Sequence, residues 1–270
     1  MSAEWPTAAE WLASGEKGGL VVAGVPMVEH AVTPSRYDLA PAAIRERLAR
    51  LSHVPDLPPV VDLGDSLTPP PLTAPLTILL GGHNAVTFHA LAGERSLEEW
   101  GLLTVDAHHD VRPYEPGQVG NGSPVRALVD AGLLGRNVVQ VGIQPFSNSA
   151  AHRDWCDEAG IDWYGPETID EVPALLHDLA ARCQHVYVDL DLDALDRAFA
   201  PGCPGARPGG IAPRQLFEAA FAAGMHDAVR AVDIVEVDPG SDVAHLTVDA
   251  AALTLLNVAS GLAARPATPT

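Results

Sequence analysis

Basic residues are scarce in this chain: 16 lysines and arginines stand against 35 aspartates and glutamates, a formal charge of −19. A nucleic-acid partner calls for a basic stripe, and none is visible. Cysteine is nearly missing as well. Cys156, Cys183 and Cys203 form no Cys-x-x-Cys pair, and an odd number makes a poor disulfide framework. A reduced, cytoplasmic setting is the expectation. No charged-then-apolar leader opens the sequence, and no apolar run approaches the roughly 18 residues of a membrane span, so neither a secretory signal nor a membrane partner is expected. No Gly-x-Gly-x-x-Gly follows the first apolar run, which argues against a phosphate-binding Rossmann enzyme. Aromatics are only 5% of the residues, and Trp11, Trp155 and Trp163 read as packing.

What is present is a globular composition, 47% hydrophobic over 270 residues. That excludes disorder and suits one α/β domain spanning 1–270, with 1–18 and 264–270 peripheral and the tail frayed. Short apolar runs recur at 19–25, 59–64, 76–82, 101–107, 137–143, 185–191 and 229–237, with a weaker one at 160–165. Helical patterns fall between them at 40–51, 85–95, 124–133, 147–159, 168–182, 213–223 and 247–262. Strand then helix, repeated, predicts a three-layer α/β/α fold with a mostly parallel central sheet of about eight strands. Continuously apolar strands fit a sheet covered on both faces. Two Pro/Gly-rich stretches read as loops: 67–75 on the surface, and 200–210 just after a strand, where long loops are often functional.

Two acidic segments sit at predicted strand ends. Asp106-Ala107-His108-His109-Asp110 follows one strand, and Asp189-Leu190-Asp191-Leu192-Asp193-Ala194-Leu195-Asp196 ends another. Alternate residues of an extended chain share a face, so Asp106, His108 and Asp110 can converge, as can Asp191 and Asp193. Parallel sheets bind ligands beyond the carboxyl ends of their strands. Carboxylates about 5 Å apart repel by roughly 3 kcal/mol per pair at an effective dielectric of 20. They must protonate or share a cation. Carboxylate and imidazole donors suit manganese or magnesium better than a thiolate-seeking metal. Two such ions can share an activated water at neutral pH.

These segments, in this order, resemble the ureohydrolase family of arginases, agmatinases, guanidinobutyrases and formimidoylglutamases. DAHHD (106–110) is similar to that family's Asp-Ala-His-x-Asp motif, and DLDLDALDRAFAPG (189–202) to its second metal motif. LGGHNAVT (80–87) resembles its Gly-Gly-Asp-His-Ser element, and VDIVEVDP (232–239) its late glutamate-bearing strand. The resemblance covers roughly residues 20–262. It implies an arginase-like fold, two manganese ions, and a homo-oligomer, trimer or hexamer. It further implies that Asp106 and Asp191 bridge the metals, that Asp110 completes the coordination of the first metal, and that His108 and Asp193 complete that of the second metal. Glu236 would bind the amidine or guanidine, Asp193 would carry a proton to the leaving nitrogen, and Asp196 would support the ligands. The family's usual metal-binding histidine falls on Asn84, with His83 just before it as an alternative ligand, so the first metal is expected to bind loosely. His109 occupies the motif's variable position.

The stretch after the first motif, GNGSPVRAL (120–128), has Asn121 and Ser123 where arginase-like members carry a histidine. It resembles formimidoylglutamases, as do VGIQPFSNS (141–149) and Arg112, whose planar fork suits a substrate carboxylate. The expected reaction is hydrolysis of N-formimidoyl-L-glutamate to glutamate and formamide, with Asp193, Glu236 and His108 catalytic and Arg112, Asn121, Ser123 and Glu236 on the substrate. Two alternatives stay open. One is urea release from agmatine or a guanidino acid, toward which a strongly acidic chain attracts a cationic substrate. The other is a metal-depleted, non-catalytic partner subunit, for which Asn84 speaks. Arg36, Arg126 and Arg207 are further candidates for an anion-binding cleft.

Overall fold

Runs of valine, leucine and isoleucine, too apolar to face water on either side, become the central strands of one sheet, while its edge strands are partly exposed. The computed structural model describes residues 5–16, 18–53 and 56–266. The strands are β1 (Leu20–Val25), β2 (Val60–Asp65), β3 (Leu76–Gly81), β4 (Trp100–Val105), β5 (Val138–Val141), β6 (Asp162–Tyr164), β7 (His185–Asp191) and β8 (Val229–Val235). Their order is β2-β1-β3-β8-β7-β4-β5-β6, and every neighbouring pair is parallel. The weak run near 160–165 is the edge strand β6.

Helices α2 (Ala40–Leu48), α3 (Ala85–Leu91), α4 (Pro124–Asp130), α5 (Ala150–Ala159), α6 (Val172–Ala180), α7 (Pro213–Met225) and α8 (Leu246–Ala263) fall where expected. Parallel strands need crossovers, and these helices supply them on both faces. One apolar layer packs Ile44 and Leu48 of α2, Leu179 of α6, Leu216 of α7 and Leu255 of α8 under the sheet. The other packs Leu91 of α3, Leu128 of α4 and Cys156 of α5 over it. This is the three-layer α/β/α arrangement.

Two expectations are corrected. The amino-terminal segment is not merely peripheral: α1 (Ala8–Leu12) buries Trp11 and Leu12 against the core. Its Thr7 side chain accepts the Glu10 N–H, and Glu10 returns the bond to the Thr7 N–H. Second, α8 is long and apolar enough to cross a membrane, at 18 residues and a mean hydropathy of 1.5. It packs against α7 and α2 as a core helix, with Leu255, Val258 and Ala259 fully buried. Where α8 crosses α7, Gly224 and Gly261 bring the two backbones together, since a methyl on either would overlap the opposite helix's main chain. Residues 267–270 of the tail expected to fray lie outside the described residues.

Strand order positions the chemistry. β3, β8, β7 and β4 are consecutive in the sheet, about 4.8 Å apart strand to strand. Asn84, Glu236, Asp191 and Asp106 follow or end these four strands, so residues scattered over 150 positions meet along one rim.

Candidate metal centre and cleft

Asp106 continues beyond β4, its N–H donating to the Val141 carbonyl at 3.0 Å, and the chain then leaves the sheet. Asp106, His108 and Asp193 form one group with potential ligand atoms within 4.8 Å of one another, and Asp106, Asp110 and Asp191 form a second. Asp106 belongs to both. Asp191 and Asp193 converge because β7 ends in a tight turn, in which the Asp193 N–H donates to Asp191 Oδ1 at 2.7 Å. His108 Nδ1 lies 2.9 Å from Asp193 Oδ2. Asp110 and Glu236 both have left-handed backbones, φ 54° and 66°. Such strain in non-glycine residues persists where the surroundings over-determine it, commonly at functional sites.

The electrostatics of this rim are severe. Burial, then Asp193, pushes Asp106 up to about 7. Burial and neighbouring carboxylates hold Asp110 and Asp191 well above the usual carboxylate range. Burial alone would raise Asp193 too, but the adjacent His108 outweighs it and the net shift is downward. Asp193 in turn drives the His108 imidazole up to about 12. Protons or divalent cations relieve this repulsion, and the two compete for the same atoms. All-oxygen and imidazole donors fit a hard cation. Beneath the rim, Asp189 and Asp233 are register partners on β7 and β8, both buried.

Asn84 begins α3. Its side-chain Nδ2 lies 3.2 Å from Asp106 Oδ2 and 2.9 Å from Asp110 Oδ2, so it faces the carboxylate cluster. His83 does not. Its Nε2 sits 2.7 Å from the Glu29 carbonyl and its Nδ1 accepts the Ala85 N–H at 3.2 Å, so both ring nitrogens are spent on backbone groups. The alternative of His83 as a ligand is corrected by this placement. The turn between β3 and α3 holds it on the far side, where burial lowers its pKa to about 4. His109 is likewise turned away, buried with Nδ1 2.7 Å from Gln140 Oε1.

Glu236 Oε1 accepts the Asn84 N–H and Asn121 Nδ2, each at 2.9 Å. Burial, then Asp193, pushes Glu236 up to about 7. Its carboxylate and the metal-facing side chains open into a cleft of about 120 Å³ that Arg112, Arg207, His152, Tyr37 and Asn121 also line. Arg112 and Arg207 have no carboxylate partner among the described residues. The other candidate arginines are elsewhere: Arg36 pairs with Asp38, and Arg126 stacks over Trp155. Ser123, expected to touch substrate, is buried at the start of α4 and outside the cleft lining. Asn121 reaches the cleft, but its amide is occupied by Glu236 and by the Val32 N–H at 2.8 Å. Asp196 accepts the Ala198 and Gly209 N–H groups and so braces the 197–209 loop. Sequence reading missed Tyr37 and His152. Each comes from an element distant in sequence from the acidic motifs, and no local pattern marks it.

A parallel sheet between two helical layers, with two groups of potential ligands at its carboxyl rim, defines the class: a three-layer α/β/α protein with a candidate metal centre. The chain belongs to the arginase family, whose model matches residues 67–260. It is 36% identical to the formimidoylglutamase of Halalkalibacterium halodurans over 192 residues, 68% of this chain but only 60% of that protein. It is 30% identical to the formimidoylglutamase of Bacillus subtilis, across 96% of this chain and 91% of that one. The crystal structure of Bacillus subtilis formimidoylglutamase superposes with a TM-score of 0.88 at 26% identity, covering 98% of this chain and 94% of that one.

Proposed function

We propose that this chain hydrolyses N-formimidoyl-L-glutamate to L-glutamate and formamide, using two manganese ions held by Asn84, Asp106, His108, Asp110, Asp191 and Asp193. The observation that carries this reading is the convergence of both carboxylate groups and Glu236 on one cleft. The similarity to formimidoylglutamases over most of the chain supports the choice of substrate. Bound there, the ions would supply Lewis acidity, lowering the pKa of water and offsetting negative charge that develops in the reaction.

The remaining roles fall to the chain's own side chains. Glu236, held by Asn84 and Asn121, grips the amidinium by charge-assisted hydrogen bonds and presents its carbon to the acidic rim. Asp193, which lines the cleft, carries a proton to the leaving nitrogen. Arg112 and Arg207, neither paired with a carboxylate, face the substrate's two carboxylates, Arg207 while its Nη1 donates to the Pro204, Gly205 and Ala206 carbonyls, and they offset the repulsion expected from a chain of charge −19. A homo-oligomer belongs to the same proposal.

The test is a product assay after manganese loading, with formimidoylglutamate, agmatine and 4-guanidinobutyrate as substrates. Formamide and glutamate from the first are expected. Urea from either of the others would replace this reading with a guanidine-cleaving one. Failure of the protein to take up manganese would favour a non-catalytic subunit.

A further inference from the structure

The Asn84 side chain is part of a buried chain of hydrogen bonds in which a single threonine hydroxyl faces an amide oxygen and a carboxylate oxygen. Thr87 Oγ1 lies 2.9 Å from Asn84 Oδ1 and 2.7 Å from Asp233 Oδ2. Both of those atoms are acceptors, and a threonine hydroxyl carries a single proton. Tyr187 donates to the same Asp233 oxygen at 2.8 Å, which marks that oxygen as an acceptor. Thr87, Asp233 and Tyr187 are all buried, so no bulk water makes up the deficit.

The oxygen and nitrogen of an amide are assigned from their hydrogen bonds, and turning the amide over resolves the conflict. Asn84 Nδ2 then donates to Thr87 Oγ1, and Thr87 donates to Asp233. The same turn places Oδ1 where the nitrogen stood, 2.9 Å from Asp110 Oδ2 and 3.2 Å from Asp106 Oδ2. Adjacent oxygen ligands of an octahedral divalent ion are roughly 3 Å apart. An amide oxygen is a donor for a hard cation, and an amide NH2 is not.

We propose that Thr87 and Asp233 are positioning residues that turn the Asn84 amide so that its oxygen faces the carboxylate cluster as a cation ligand. Asp233 fixes the direction of the Thr87 hydroxyl, and Thr87 fixes the direction of the amide. This rests on the reading above that Asn84 is a ligand. It assigns the selection of that ligand to two residues that touch neither metal nor substrate.

The test is manganese binding by calorimetry, with electron paramagnetic resonance to count coupled ions, on wild type and the Asn84→Ala, Thr87→Val, Thr87→Ser and Asp233→Asn variants. Thermal melting of the manganese-free proteins checks that each is folded. Thr87→Val and Asp233→Asn are expected to bind one ion as wild type does and the other at least about 10-fold more weakly. Thr87→Ser is expected to bind both normally. Wild-type binding by Thr87→Val overturns the inference, as does equal weakening in the Val and Ser variants, which would signal packing instead. If Asn84→Ala binds both ions like wild type, the ligand assignment itself fails. If it weakens one site while Thr87→Val does not, only the positioning role fails. Should Asp233→Asn not fold, the Val and Ser pair decides the matter.

Discussion

At Glu236 the charge can be removed without moving the side chain. Its Oε1 accepts two N–H groups, from Asn84 and Asn121. A glutamine oxygen can accept both as well. Glu236→Gln is therefore expected to keep two manganese ions and its fold, yet lose on the order of 10²-fold or more in kcat/KM, since a buried charge pair with a cationic substrate is worth about 2–5 kcal/mol. Metal content and steady-state kinetics on one preparation check this. A metal loss matching the activity loss would mean that Glu236 supports the cluster and not the substrate. Gly205 makes a different demand. A methyl there would overlap Asp193 Oδ2, so Gly205→Ala must push back either the loop or the carboxylate. The expected outcome is weaker binding of the ion nearest His108, read in a manganese titration.

At the scale of elements, α7 and α8 meet through Gly224 and Gly261, and neither helix can retreat from the sheet it covers. Gly261→Ala is expected to destabilise by about 1–3 kcal/mol through overpacking, measured as a shift in urea midpoint with unchanged slope. Most elements were legible because their signals are local: apolar runs for strands, Ser149 and Gly160 bounding α5, prolines opening α4 and α7. α1 was legible in principle, since Thr7-Ala8-Ala9-Glu10 is a capping box in sequence. Its five residues carry too short an apolar period to stand out. The acidic motifs could be read because their charge is dense and local, although strand alternation is not what gathers them: β4 ends at Val105, and Asp106, His108 and Asp110 converge in the irregular turn beyond it. Tyr37, His152 and the Thr87–Asp233 link were not legible. The link arises from strand order, which brings β3 beside β8 although some 150 residues separate them, while Tyr37 and His152 follow β1 and β5 and reach the cleft only through the assembled sheet. Ser123 misled for the converse reason. A motif fixed its neighbourhood, but α4 begins there and buries it.

The whole molecule concentrates its instability in two sets of groups. One is the three thiols. Burial raises Cys183 to about 11 and Cys156 to about 12, and holds Cys203 well above the usual thiol range. An unfolded thiol titrates near 8.5. The folded chain thus binds more protons than the unfolded one above that pH, and stability is lost as pH climbs from about 8.5 toward 12. Urea unfolding at pH 8 and pH 10 is expected to give a lower midpoint at pH 10, with part of the difference removed in Cys156→Ala.

The other set is the acidic rim, whose repulsion the fold tolerates only by protonation or by cations. A cation bound to the folded state alone stabilises it by about 2.7 kcal/mol at a hundred times its dissociation constant. For a chain of this size, 1 kcal/mol moves the melting temperature by about 2–4 °C. Manganese is therefore expected to raise the melting point by about 5–10 °C over a chelated sample. The gain should shrink as pH falls through 7, where Asp106 is pushed up and a proton competes for it. Melting curves with manganese and with chelator at pH 8 and pH 6 measure both effects. Equal melting points at pH 8 would mean that the clustered carboxylates hold protons and not metal, and the proposed hydrolase would lose its catalytic ion pair.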